Sequence, residues 1–263
     1  MDQCGELEIM TDSVDVKTLT APPSFTGKTA LVTGAGKGLG RACALGLAAA
    51  GARVIGVART EGDLKEVQSS AVGKFDYWVE DVIEDRLYKR IEEMDHLDIL
   101  VGCAGGNKPE PVTDITTETL DWMLGLNVRA IFRASQSAAK VMLRQGSGII
   151  INMSSQMGHI GAPNRTLYCT TKHAVEGLTK ALAVELAPQG IRVNAVAPTF
   201  IDTPMTRPMF ENEEFKKTVE NNIALGHVGT IEDVAAAVMF LASENAAMVT
   251  GESLKVDGGW TAW

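Results

Sequence analysis

Cysteine is scarce in this chain and nowhere clustered. Its four copies, Cys4, Cys43, Cys103 and Cys169, stand far apart. No CxxC pair and no His/Cys group at zinc-ligand spacing occurs, which excludes a disulfide-stapled scaffold and the usual zinc modules. Positive charge is also short. Against 33 Asp and Glu there are 24 Lys and Arg, a formal net charge of −9. A nucleic-acid-binding face would need the opposite balance. No apolar run approaches the ~20 residues needed to cross a bilayer. The first 24 residues hold five acids and one lysine, so no basic-then-apolar signal peptide opens the sequence. These absences point to a cytoplasmic protein with no metal, no nucleic-acid partner and no membrane partner. Residues 1–24 read as a flexible acidic extension.

The rest of the chain, 25–263, is long enough to bury a sizeable core as one domain, and its composition is ordinary: 45% hydrophobic and 22% charged. Seven short apolar runs recur: TALVT, ARVIGVA, KFDYWV, LDILVG, GIIINMS, IRVNAVA and ESLKV. Their apolar character is near-continuous, as in parallel strands covered on both faces. About six helical stretches separate them. In one, Leu167, Ala174, Val175, Leu178, Leu182 and Leu186 follow helical spacing, and Pro188 with Gly190 closes the segment. The alternation predicts an α/β fold, a Rossmann-type doubly wound parallel sheet of about seven strands flanked by helices.

Between the first strand and the first helix stands TGAGKGLG, residues 33–40, with four glycines in eight positions. Glycines there let the chain turn sharply and let backbone N–H groups and the positive helix end approach a pyrophosphate. Farther on, YCTTK places Tyr168 and Lys172 four residues apart, on one helical face. A phenol titrates near ~10, so bringing it to ~7 takes about 4 kcal/mol of differential interaction. A lysine ammonium and a second adjacent cation can supply that in a partly dry site.

The spacing TGxxxGxG, followed in order by EDV, CAGG, LNV, NMSSQMG, YCTTK, IRVNAVAPTFIDT and VDGG, resembles the short-chain dehydrogenase/reductase family. The likeness runs from Gly27 to Trp263, about nine-tenths of the chain. It implies a catalytic set of Asn127, Ser155, Tyr168 and Lys172, with Ser155 preferred over Ser154 on spacing. Tyr168 then transfers a proton, Ser155 polarises the carbonyl, Lys172 tunes the tyrosine and holds a ribose, and Asn127 steadies a proton relay. Ser155, Gln156 and Tyr168 would meet the substrate. For the cofactor the resemblance implies Gly34, Lys37, Gly38, Leu39 and Gly40 at the phosphates, and Asp81 with Val82 at the adenine. Ala104 and Gly105 follow at the adenosine ribose, and Pro198, Ile201 and Thr203 at the nicotinamide. The chain departs from the family pattern at Thr199, where glycine is usual, and at Gly102 and Cys103, where asparagines are usual. Cys103 and Cys169 read as buried packing thiols, with a redox switch as the alternative.

Cofactors lacking a 2′-phosphate are usually read by an acid at the end of the second strand. Here Ala58 holds that place and Arg59 follows, so no acid is expected to oppose Arg59, Thr60 and Lys37. These residues suit a 2′-phosphate, which predicts NADP(H) as the preferred cofactor and NAD(H) as the alternative. Within the family the chain is most similar to NADP(H)-dependent carbonyl reductases of the xylulose-reductase type. Asn107, Gln156, His159 and Asn164, expected at the pocket mouth, suit a sugar, polyol or small diketone. The nearest rival is a 3-oxoacyl-carrier-protein reductase, for which Arg165, Arg207, Lys216 and Lys217 would serve as the docking patch. A dinucleotide-binding sensor without turnover would be expected to lose Tyr168 or Lys172, and both are kept. Relatives pair their long fourth and fifth helices, here about Thr117–Leu126 and Val128–Arg144. The stripe Ile131, Ala134, Ala138, Val141 and Met142 is compatible with such a seam or with this chain's own sheet, and the expected assembly is a homotetramer, with a dimer second.

Overall fold

The seven apolar runs pair as parallel strands in the computed structural model, which describes residues 22–204 and 206–263. In chain order the strands are β1 (Thr29–Thr33), β2 (Arg53–Ala58), β3 (Phe75–Val79), β4 (Ile99–Gly102), β5 (Gly148–Met153), β6 (Ile191–Pro198) and β7 (Ser253–Val256). They lie in the order β3-β2-β1-β4-β5-β6-β7. Alternation splits each strand between two apolar layers. Ala30, Val32, Ile99 and Val101 belong to one buried cluster, while Leu31 and Leu100 belong to the other. Leu31 stands beside Ile55 and Leu100 in register. The sheet is therefore covered on both faces, as the runs predict. Most of the expected acidic extension, residues 1–21, lies outside the described residues.

The helices are α1 (Gly38–Ala49), α2 (Glu61–Ser70), α3 (Asp85–Glu92), α4 (Thr117–Leu124), α5 (Ala130–Gln145), α6 (Thr166–Leu186), α7 (Arg207–Phe210), α8 (Glu213–Asn222) and α9 (Ile231–Ala242). Among the described residues that is nine rather than about six, and two of the additional helices, α7 and α8, rise from the loop after β6. The expected break near residue 127 is also absent. A single π-helical turn, Gly125–Arg129, joins α4 to α5 without a loop, an arrangement often found at functional positions. Ile131, Ala134, Ala138, Val141 and Met142 are all buried. Four of them, Ala134, Ala138, Val141 and Met142, pack in the same cluster as Leu31, Leu100 and Ile150. The stripe faces this chain's own sheet and provides no seam between subunits.

Two connections decide where a ligand can enter. From β1 the chain turns into α1 on one face, while from β4 it leaves toward α4 and α5 on the other. A crevice opens between them at the strands' carboxyl ends. Glycine is required in its wall. Gly34 has φ +70°, and an added Cβ would lie 2.9 Å from Ala104 N. At Gly40 an added Cβ would come within 2.2 Å of Gly34 O, so α1 packs onto the turn only without a side chain there.

Candidate active site

The crevice is a cleft of about 570 Å³ lined from the ends of β1, β2, β4, β5 and β6. Every residue assigned to the cofactor from the sequence lines it: Gly34, Lys37, Gly38, Leu39, Gly40, Arg59, Thr60, Asp81, Val82, Ala104, Gly105, Tyr168, Lys172, Pro198, Ile201 and Thr203. Thr33, missed in the sequence, ties the two walls together. Its hydroxyl accepts from Cys103 N at 3.1 Å and Ala104 N at 3.2 Å.

At the glycine end the cleft fits a dinucleotide's phosphates. Gly38, at φ +53°, opens α1, and an added Cβ there would meet nothing closer than Thr203 at 3.9 Å. Lys37, the residue before it, makes no side-chain cap bond to the helix. The amino end of α1 thus lies in the cleft wall without a side-chain cap, a cradle suited to an anion. Among the described residues no cluster of three or more His, Cys, Asp or Glu could hold a metal.

The adenosine end overturns one expectation. Lys37 Nζ lies 3.3 Å from Asp63 Oδ2, and Arg59 Nη1 lies 3.8 Å from Asp81 Oδ2. The missing acid at Ala58 is thus replaced from the next helix. An added Cβ on Gly36 would sit 3.1 Å from Asp63 Cβ and 3.3 Å from Ala58 Cβ, so the two share one corner of the cleft. Asp63 stands on α2, five residues beyond the strand end, outside the position at which a sequence pattern places the acid. Both cations are mostly exposed. Such pairs contribute only ~0–1 kcal/mol, which leaves the cations free to exchange partners.

At the closed end the catalytic candidates converge. Burial pushes the Tyr168 phenol up to about 12, against the opposing influence of Ser155 and then of the Arg165 guanidinium. Burial also brings the Lys172 ammonium down to about 8, opposed by Cys103 and Glu176. Lys172 Nζ donates to Met153 O at 2.9 Å and lies 5.6 Å from the Tyr168 ring centre. By themselves the chain's residues hold the phenol protonated, the state of a proton donor; they do not bring it toward neutrality. The Ser155 hydroxyl accepts from Met157 N at 3.2 Å and reaches Pro198 O at 3.5 Å. Ser154 instead donates to the Glu176 carboxylate.

Asn127 sits beneath the cleft rather than in its lining. Its Nδ2 donates to Gly106 O at 2.8 Å and Thr171 Oγ1 at 3.2 Å, and its Oδ1 accepts from Gly106 N at 2.9 Å. Gly105 leaves room here, since an added Cβ would lie 3.3 Å from Asn127 Oδ1 and 3.8 Å from Lys172 Nζ. Gln156 does not line the cleft. Its side chain is buried beside Ser155, with neither amide atom bonded among the described residues. His159 is likewise no mouth residue, because its Nε2 lies 3.0 Å from Ser253 Oγ and 3.3 Å from Glu176. Asn164 is exposed at φ +57°. Asn107 lines the cleft with its Oδ1 unbonded, as does Thr199 with its hydroxyl. Burial pushes the Cys103 thiol up to about 12 and raises Cys43 as well, which suits packing rather than redox reactivity.

The separation of the two serines gives a test. Ser155→Ala is expected to lower kcat/KM by roughly 10²–10³, the range for loss of a donor to a developing oxyanion. Ser154→Ala should lower it at least tenfold less. Steady-state kinetics on both variants check the order, and the reverse order would transfer the role to Ser154.

The chain is similar to known proteins along most of its length. A family model described as enoyl-(acyl carrier protein) reductase matches residues 34–261. The L-xylulose reductase of Bos taurus is 38% identical over 239 residues, covering 90% of this chain and 98% of that protein. The NADPH carbonyl reductase 2 of Sus scrofa is 35% identical over 240 residues, covering 91% and 98%. Among solved structures, a gluconate 5-dehydrogenase of Burkholderia cenocepacia J2315 in complex with NADP and tartrate superposes with a TM-score of 0.87. It is 30% identical, with 91% of this chain and 97% of that one covered.

Proposed function

Since the chain belongs to the short-chain dehydrogenase/reductase family, we propose that it is an NADP(H)-dependent oxidoreductase interconverting a small hydroxylated ketone and its secondary alcohol. The observation that carries this reading is the meeting of Ser155, Tyr168 and Lys172 at the closed end of a cleft whose other end suits phosphates. The nicotinamide, when bound, supplies the hydride to the carbonyl carbon or takes it back from the alcohol. Gly34, Gly38 and Gly40 keep side chains away from the pyrophosphate, and Arg59, Thr60 and Lys37 serve the 2′-phosphate.

In the reductive direction Ser155 Oγ donates a hydrogen bond to the carbonyl oxygen, and Tyr168 Oη then gives that oxygen its proton. The protonated resting state of Tyr168 suits this direction. Lys172 holds the ribose beside the phenol. Asn127 fixes Gly106 and Thr171, and so the wall on which Lys172 stands. The unbonded Asn107 Oδ1 and Thr199 hydroxyl support a substrate rich in hydroxyls. The carrier-protein reading is weaker because its docking patch is compromised. Arg207 is held by Asp202 at 2.7 Å, and Lys216 and Lys217 share α8 with Glu213 and Glu214. NADPH consumption by the purified protein with ketoses, diketones and an acyl thioester tests the substrate class. Turnover of a ketose or diketone should exceed that of the thioester at least tenfold, and the opposite ranking would favour the carrier-protein reading.

Residues 25–263 act as one domain in this reading, in the cytoplasm. No helix among the described residues is long and apolar enough to cross a membrane. Assembly as a homotetramer has to use an outer face, since the inner stripe is covered. Trp122, Phe132, Leu143 and Val184, on α4, α5 and α6, are exposed there. Light scattering at micromolar concentration should give four times the chain mass, and a monomer would contradict the proposal.

A further inference from the structure

The structure assigns a positioning role to Glu176: its carboxylate braces Ser154 against the last strand and gives Lys172 the negative neighbour that keeps it an ammonium. This rests on the function proposed for Lys172 above. Glu176 lies on α6 one turn after Lys172, on the same face, and is buried. Its Oε1 gathers three partners from three parts of the chain. Ser154 donates to it from the end of β5, Ser253 Oγ donates at 2.9 Å from β7, and His159 Nε2 stands 3.3 Å away in the turn after β5. That turn is pressed against the carboxylate. An added Cβ on Gly158 would meet Glu176 Cγ at 2.9 Å, Lys172 O at 3.0 Å and Ser154 Oγ at 3.0 Å. Glu176 Oε2 is buried with no hydrogen-bond partner among the described residues.

A buried anion with an orphaned oxygen is costly, and apolar replacements of similar volume often fold as well or better. Bracing alone does not account for a carboxylate at this position. The charge does, because Lys172 is itself buried and hydrogen-bonds only a neutral carbonyl. The groups facing Lys172 are Tyr168 and Glu176 from α6 and Cys103 from the end of β4, with His159 behind Glu176. Of these only Glu176 bears a carboxyl group. Burial favours the neutral amine, and Glu176 works against it. Without the carboxylate Lys172 loses its proton at lower pH, so the alkaline limb of reduction moves down, by about one unit.

The test follows the Lys172 titration directly, by carbon-13 NMR of lysine-labelled protein without cofactor, the signal being assigned by its loss in Lys172→Met. Wild type, Glu176→Gln, Glu176→Leu and Glu176→Asp are compared, the leucine variant covering the case in which a buried amide fails to fold. The expected result is a fall of about one unit in the glutamine and leucine variants and little change in the aspartate variant. The alkaline limb of kcat/KM should move with it. A lysine that titrates within ~0.3 unit of wild type, ~0.4 kcal/mol, in every variant would overturn the proposal even if activity fell. The two readings separate cleanly. A shifted lysine in a protein that reduces no carbonyl supports Glu176 and sinks the reductase; turnover with an unmoved lysine sinks Glu176 alone.

Discussion

Tyr168→Phe is expected to fold, to keep dinucleotide affinity within a few-fold, and to lose at least ~10³ in kcat, the upper reach of a positioned general acid together with its hydrogen bond. The phenylalanine keeps the ring that lies 5.6 Å from Lys172 Nζ and removes only the hydroxyl. Because burial holds that hydroxyl protonated, the chain at neutral pH carries the proton that reduction needs. Steady-state kinetics beside fluorescence titration of NADPH separate the effects. Activity within tenfold of wild type would remove Tyr168 as the proton donor.

The second large effect concerns the 2′ position. Two free cations would give on the order of a hundredfold preference for NADPH over NADH, at about 1.4 kcal/mol for each factor of ten. Lys37 is shared with Asp63, so the expected wild-type preference is nearer tenfold, falling with salt. Ala58→Asp with Arg59→Leu removes an attraction and adds a repulsion, and should move the ratio toward NADH by about a hundredfold. The ratio of kcat/KM for the two cofactors at low ionic strength measures both. A wild type favouring NADH would mean that Arg59 and Lys37 serve only their carboxylates.

The parts legible in the sequence are those fixed by local pattern. All seven strands stand where the apolar runs placed them; the five inner ones are buried on both faces and cannot hide their composition, and the edge strands β3 and β7 keep enough apolar residues to be read beside them. The glycine turn and the four-residue spacing of Tyr168 and Lys172 were legible for the same reason: each is a short-range geometric demand. What escaped depends on distant partners. The inward face of α6 carries Thr171, Lys172, Glu176 and Thr179, polar residues that hydropathy assigns to solvent, while Ala174 from the expected stripe is exposed. Their burial follows from bonds to Asn127, Asn152, Met153 and Ser154, supplied by the π-helical turn and β5. Asp63 escaped because its role depends on how α2 lies against the glycine turn. Gln156, which the resemblance sets at the substrate, is instead buried outside the cleft lining, a difference that depends on packing after β5 and not on local pattern.

The central claim is hydride transfer between nicotinamide and a carbonyl carbon within this cleft. Its most direct test is isotopic: NADPH deuterated at the transferable position, a ketose substrate, and analysis of the product alcohol by mass spectrometry and NMR. One deuteron at the new carbinol carbon, in every product molecule and on one face only, is the predicted result. An alcohol that takes its carbon-bound hydrogen from solvent, or deuterated cofactor consumed with no label in the product, would contradict the account.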